Sequence, residues 1–429
     1  MELPSLPSAD VFKKLFPYVV LALFALLMLT IVRTSVFGQV DPEKHIYFEI
    51  VFLLLLAILG EIAVTYLKQP SVMILMVLGI LISPSFFSAA WGVLHLQGTA
   101  PSILQNEEII HIFAQLGAVI LLFKVGLHNK IEGVFAFDNL LVAIAGVIVP
   151  FAVGYLYASS TGGDFAYSMF VGAALTATSV GVTVALLREY GMINQRFAQV
   201  IIGAAIIDDI LGLLVLSIVL NVTGGSLEIA SLALTGITAA VFLFGGVLAG
   251  KYFVKYMDSD WSNGTRAILL ALAFMLAYAY IAEFIKLSAI VGAFLAGIVL
   301  NRSRHIKEIE DKTSGLELLF MPIFFISLGL LVDVNALAEF AVPIIILTVI
   351  AFATKVVPCA LAAMAARLKQ KEALAVGVGM VPRGEVALII ASLGLSSGVL
   401  GAAQYSIISA MALLSTFIVP PILTRVLKK

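Results

Sequence analysis

The chain has 429 residues, 62% of them hydrophobic and 12% charged, and a net charge of −1 at pH 7; its mean hydropathy is +1.12. A soluble domain carries about 25% charged residues, so a soluble globular fold is excluded, and the near-zero net charge gives no electrostatic basis for binding nucleic acid. One cysteine, Cys359, excludes an intrachain disulfide, and no Cys/His metal spacing occurs.

Apolar runs of about 20 residues, each long enough to cross a bilayer as a helix, recur from end to end, without the short alternating segments of a membrane barrel. The first, 15–37, follows Lys13 and Lys14. It stays apolar to about Val32 with no A-x-A cleavage site, so it reads as a retained helix rather than a signal peptide. Then come 46–67, with Glu61 near its inner end, 70–88, and 109–130 after an acidic loop at Glu107 and Glu108. Lys124 in the last of these is expected to snorkel to the nearer interface. Next are 139–159, 165–189, 196–221, 228–257, 265–284 and the short 288–302; Glu283 reads as a surface partner of Lys286. The spans 316–335, 338–365, 371–396 and 402–427 complete about fourteen. The expected fold is an all-α polytopic membrane protein.

Lysine and arginine placement orients this map. Nineteen of the 25 fall on one side, including both termini, Arg188, Arg196, Arg266, Arg302 and Lys371. Three (Arg33, Lys44, Lys286) fall on the other, and three (Lys124, Lys355, Arg383) lie within spans. An even number of spans with cytoplasmic N- and C-termini follows.

An internal repeat is present. At an offset of 203, TSVG (178–181) meets VPRG (381–384), and Gly126-Leu127 meets Gly329-Leu330. Two five-helix repeats, starting near 70 and near 288, are therefore expected, with about fifteen extra residues near 84–108 in the first. Five spans per repeat and seven between equivalent helices make the repeats inverted. Both repeats carry a break signal at mid-span: small and hydroxylated residues in TATSVG, Pro382 and Gly384 in MVPRGE. Irregular backbone at that depth is tolerated only inside protein or beside water, and crossing discontinuous helices at the midplane are where secondary transporters bind ions.

Charges inside spans point to function, and here they break the repeat: Asp208 corresponds to Met411 and Lys355 to Ala152. Asp208 and Asp209 are adjacent, so on a helix they point about 100° apart. One can pair with Lys355. The other, with carbonyls and the hydroxyls of Thr178 and Ser179, makes an oxygen site suited to a small cation or a proton. Gly203, Ala204, Ala205 and Gly212 are expected to let a broken helix approach closely. Arg383 and Glu385 flank Gly384 and are expected to compensate the partial charges of the helix ends at the break. An intramembrane aspartyl protease is disfavoured, because TGGD (161–164) lacks the GxGD spacing and lies at a membrane edge. A cation channel and a non-transporting sensor are the remaining rivals.

The motifs LGAVILLFKVGL (116–127), LTATSVGVT (175–183), VIIGAAIIDDILGL (200–213), LSAIVGAFLAGIVL (287–300), MPIFFISLGLLVD (321–333), FATKVVP (352–358) and VGVGMVPRGEVALII (376–390) together resemble the bacterial Na+/H+ antiporters of the cation:proton antiporter-2 family, NapA type. The resemblance covers roughly 46–427. It implies an N-terminal extra helix (1–45) and a dimerisation domain (46–135 and 261–337). It also implies a linker helix (223–260) and a core transport domain (136–222 and 338–429). By the same resemblance Asp209 is the ion and proton carboxylate, Asp208 pairs with Lys355, and Thr178 and Ser179 line the break. Electrogenic exchange of Na+ (or Li+) for H+ by alternating access is implied, in a homodimer of the cell inner membrane, without a cofactor. K+/H+ exchange is the alternative. The family motif carries an acidic residue after VGL where this chain has His128. No nucleotide-binding tail follows Lys429, which is unlike the potassium-efflux members that carry one.

Overall fold

The computed structural model describes residues 30, 33–35, 42–67, 69–95, 103–128, 136–223, 237–259, 264–285 and 287–428. Among these the secondary structure is helical throughout. In chain order the helices are α1 (Pro42–Leu67), α2 (Ser71–Leu81), α3 (Pro84–Val93), α4 (Glu107–Leu127), α5 (Phe137–Ser160), α6 (Phe165–Thr176), α7 (Val180–Glu189) and α8 (Arg196–Thr223). They continue with α9 (Ile237–Met257), α10 (Gly264–Phe284), α11 (Ala289–Leu300), α12 (Ile306–Leu330), α13 (Val334–Glu339), α14 (Ala341–Ala365), α15 (Gln370–Gly379), α16 (Glu385–Ser396) and α17 (Ala402–Lys428).

Ten of these segments are long and apolar enough to cross a membrane, eleven with the bent pair α2–α3. This is a multi-pass membrane protein. The other three of the fourteen expected spans differ for separate reasons. The 15–37 run lies almost wholly outside the described residues. α11 has only 12 residues, and Val291–Leu300 are all buried, so it sits inside protein rather than in lipid. The 371–396 span is interrupted between Gly379 and Glu385.

Two boundaries differ from expectation. The 70–88 span is two helices bent by 55°. Pro84 starts α3, and the Ser83 hydroxyl accepts from the Phe86 amide at 3.2 Å as its N-cap. The helix expected from 316 begins at Ile306. Its first turns, IKEIEDK, are charged, because a helix can continue beyond the apolar layer.

Helix directions alternate, and the ends that carry Arg188, Arg196, Lys255, Arg266, Arg304 and Lys369 define one side, the basic face. Packing falls into two sets. In one, α12 packs on α2 and α4, α11 on α4, α10 and α9, and α1 on α2. In the other, α5 packs on α6, α8 and α14, α14 on α15 and α17, and α16 on α6 and α17. The sets meet where α7 and α17 lie against α2, α4 and α12.

The inverted repeat is visible in contacts. A Cβ on Gly79 would strike the Ile326 carbonyl and lie 2.9 Å from the Gly329 Cα. A Cβ on Gly126 would strike the Phe294 carbonyl and lie 3.0 Å from the Gly297 Cα. Gly126 and Gly329 are equivalent at offset 203; Gly79 and Gly297 are equivalent at 218, which includes the fifteen-residue insertion. The two glycine crossings are therefore one crossing seen twice. Two other contacts join residues 203 apart: Gly117 with Phe320, and the Ser179 amide with the Pro382 carbonyl at 2.7 Å. A contact between equivalent positions must lie on the pseudo-twofold axis.

Candidate ion-binding site

The second axial contact is where the two broken helices cross. α6 ends at Thr176, Ala177 leaves helical backbone with φ −57° and ψ 139°, and α7 restarts at Val180. The other break, 380–384, runs between α15 and α16. Besides the Ser179–Pro382 bond, the Thr178 hydroxyl donates to the Met380 carbonyl (3.3 Å) and the Thr183 hydroxyl to the Gly379 carbonyl (2.8 Å). Carbonyls released by one break are thus taken up by the other. Gly384 is required for close approach: a Cβ there would lie 2.8 Å from the Ser179 hydroxyl.

Arg383 is fully buried and spans the crossing. Its guanidinium donates to the carbonyls of Leu175 (2.7 Å), Val381 (2.8 Å) and Ala351 (3.1 Å). Leu175 lies in the last turn of α6, where carbonyls lack intrahelical partners and a cation is favoured. The backbone of Arg383 is pinned in turn by Thr416 of α17, whose hydroxyl accepts from the Arg383 amide at 3.1 Å and donates to its carbonyl. The Glu385 side chain lies outside the described residues.

Asp208 and Asp209 sit mid-way along α8 and face different ways. Asp208 is buried and accepts from Lys355 of α14, with Nζ 3.1 Å from Oδ1; Thr178 lies beside it. Lys355 is fully buried, and room for it is made by Gly146 of α5, where a Cβ would lie 3.2 Å from the ammonium and 3.0 Å from the Cys359 sulfur. Asp209 is partly exposed and lines a cavity of about 30 Å³ together with Thr178, Ser179, Ala205, Val386 and Ser288. That volume holds at least one water-sized occupant. The carboxylate and hydroxyl oxygens around it are hard donors, suited to a small alkali cation.

Gly212 meets open space instead of a neighbouring helix, so the close packing expected there falls at Gly146 and Gly384. Glu61 is exposed on α1, away from the cavity. Lys124 does not snorkel. It is buried and donates to Glu317 of α12 at 2.5 Å and to the Ser314 hydroxyl at 2.7 Å. Three residues escaped sequence reasoning. Ser288 had a signal, an N-cap serine opening a short apolar helix. Thr416 stood in a polar pair, Ser415-Thr416, inside an apolar run, and Gly146 gave none.

The family model for the transmembrane sodium/hydrogen exchangers matches residues 50–429. The chain belongs to the sodium/hydrogen exchanger family. It is 32% identical over 389 residues to the Na(+)/H(+)-K(+) antiporter GerN of Bacillus cereus, covering 89% of this chain and 96% of that protein. It is 34% identical over 337 residues to the high-affinity Na(+)/H(+) antiporter NhaS3 of Synechocystis, covering 75% and 72%. The solved structure of the sodium proton antiporter MjNhaP1 from Methanocaldococcus jannaschii matches with a TM-score of 0.55 at 20% identity, over 89% of this chain and 95% of that one, a likeness of fold. As a member of this family the chain is a secondary transporter, not an enzyme.

Proposed function

We propose that the chain exchanges Na+ for protons at Asp209. The observation that carries this is the cavity at the helix crossing, where Asp209, Thr178 and Ser179 converge from one set of helices and Ser288 faces them from the other. A site walled by both sets changes its exposure when they move against each other, which is what alternating access needs. Ionised Asp209 binds the cation; protonation displaces it, and the two cannot occupy the carboxylate together. Asp208 is held by Lys355 and leaves Asp209 as the exchanging group. Arg383, with Glu385, balances the helix ends through the cycle.

On this reading α5–α8 and α14–α17 form the moving core. The dimerisation domain comprises α1–α4 and α10–α13, and α9 links the two. The basic face is cytoplasmic, and the protein is a homodimer in the cell inner membrane. Exchange of more protons than Na+ per cycle lets the membrane potential drive the reaction, at about 2.3 kcal/mol per charge per 100 mV. The relative GerN has K+ in its name, so K+ is the second cargo to test. Proton flux driven by an imposed Na+, Li+ or K+ gradient in proteoliposomes, with and without a clamped potential, separates these readings. Flux that ignores every cation gradient sinks the proposal.

A further inference from the structure

At the basic face, the end of α7 grips two helices of the other set through consecutive residues. The Arg188 guanidinium reaches both oxygens of Glu317 on α12, one through Nη1 and the other through Nη2 at 3.2 Å. The Glu189 carboxylate accepts from the Ser71 amide at 3.2 and 3.3 Å and from the Ser71 hydroxyl at 2.7 Å, at the N-terminus of α2. α7 is the second half of the first broken helix, so its other end is Val180, which lines the cavity. One short rigid helix therefore connects the cavity to these contacts. Ser288, Ile290 and Val291, the cavity residues from the other set, lie at the end of α11 remote from the basic face. The contacts thus close the side of α7 opposite to the cavity.

Among the described residues Glu317 has two cationic partners of different kinds. Arg188 belongs to the opposite set of helices and its side chain is 32% exposed, so it can return to water when it leaves. Lys124 belongs to the same set as Glu317, is 5% exposed and is held as well by Ser314. The Glu317 side chain is 11% exposed. Without Lys124, departure of Arg188 would strand a nearly buried carboxylate, which is costly. With Lys124 in place, Glu317 keeps a partner in either state.

We propose that Arg188, Glu317 and Lys124 form a partner-exchange latch: Arg188 on Glu317 holds the basic face closed, and Lys124, as a positioning residue, retains Glu317 so that the latch can open. The proposal rests on the alternating-access reading above. Lys124→Met leaves Arg188 as the partner of Glu317 among the described residues and favours the closed state. Arg188→Gln removes the closing contact and favours the open one. Lys124→Arg keeps the charge and restores the wild-type balance.

The test is the distance between spin labels at Lys312→Cys on α12 and Lys371→Cys on α15, both exposed at the basic face, measured by pulsed electron resonance on the full chain in bilayers with Cys359→Ser as background. A partly exposed ion pair shifts such an equilibrium by about two- to fivefold. The long-distance population should rise by that factor in Arg188→Gln, fall in Lys124→Met and match wild type in Lys124→Arg. In a Glu317→Gln background, Lys124→Met should change nothing, because no carboxylate is left to retain. Identical distributions in Arg188→Gln and wild type overturn the latch. So does a Lys124→Met effect that survives in Glu317→Gln, which marks Lys124 as a packing group. The distances need no transport, so a failure of Na+-driven proton flux with shifting distances rejects the Na+/H+ reading alone, and coupled flux with static distances rejects the latch alone.

Discussion

Two of the places where the repeats meet differ in kind. At the glycine crossings, Gly79 with Gly329 and Gly126 with Gly297, the same contact occurs twice, backbone against backbone. At the crossing of the breaks, one axial bond between Ser179 and Pro382 is surrounded by groups present in one repeat only: Asp208, Asp209, Lys355 and Arg383. Both places need small residues and close approach, yet only one is polar. Duplication supplies a frame whose contacts are satisfied twice over. A transporting site needs a carboxylate on one helix and its cationic neighbour on another, and symmetry would have put two such sets at the axis, each charge opposed by its copy.

The largest effect separates the two places. Asp209→Asn should reduce Na+-driven proton flux in proteoliposomes to the level of empty vesicles, while the detergent-solubilised protein unfolds at a temperature close to wild type. Normal flux in this variant would break the assignment of the site. Next in size is the buried pair. Lys355→Ala leaves the Asp208 carboxylate without its ammonium in a site closed to water, at a cost of about 3–5 kcal/mol, read as lower thermal stability. The double variant Asp208→Asn with Lys355→Met should recover most of that stability, since removing both charges of a buried pair is often neutral. A double variant as unstable as the single one would mean that the pair shapes the helix packing itself.

The glycine crossings give a middle-sized test. Gly79→Ala and Gly297→Ala place a methyl against equivalent carbonyls, Ile326 and Phe123. Each should destabilise by about 1–3 kcal/mol, and by similar amounts, because the contacts are symmetry copies. A large inequality between them would show that the insertion carrying α3 has made one crossing tolerant.

Much of this was legible in the chain because it depends on local signals. Apolar length marks the spans, proline and small polar residues mark the breaks, and a fixed offset marks the repeat. That Lys355 pairs with one of the two adjacent aspartates was legible too, since a lone cation in an apolar span has few other partners; the choice of Asp208 came from the family resemblance. What was not legible depends on residues far apart. Lys124 looked like an interfacial lysine because its partner, Glu317, lies 193 residues away, on a helix whose start was placed ten residues too late. The charged segment IKEIEDK reads as a loop when apolar length is the only guide, whereas backbone hydrogen bonds continue the helix past the bilayer at no cost in burial. Gly212 and Gly146 are alike as sequence, and only the packing of α5 on α14 shows that Gly146 is the one that makes room for a lysine.

The smallest expected effect probes the rule that departures from duplication carry the chemistry. Thr183 has valine, Val386, as its counterpart at offset 203, so it breaks the repeat just as the charges do. Its hydroxyl donates to the Gly379 carbonyl at 2.8 Å and it is fully buried. It belongs to α7 beyond the break and does not line the cavity. The bond occupies a carbonyl at the end of α15, where the helix offers it no amide. Thr183→Val keeps the shape and removes the donor, for a loss of about 1 kcal/mol, with the half-saturating Na+ concentration unchanged. The same substitution at Thr178, which does line the cavity, should raise that concentration. If Thr183→Val instead moves Na+ affinity as far as Thr178→Val does, the polar crossing is a single unit reaching past the cavity, and the frame and the chemistry are not separable at the axis.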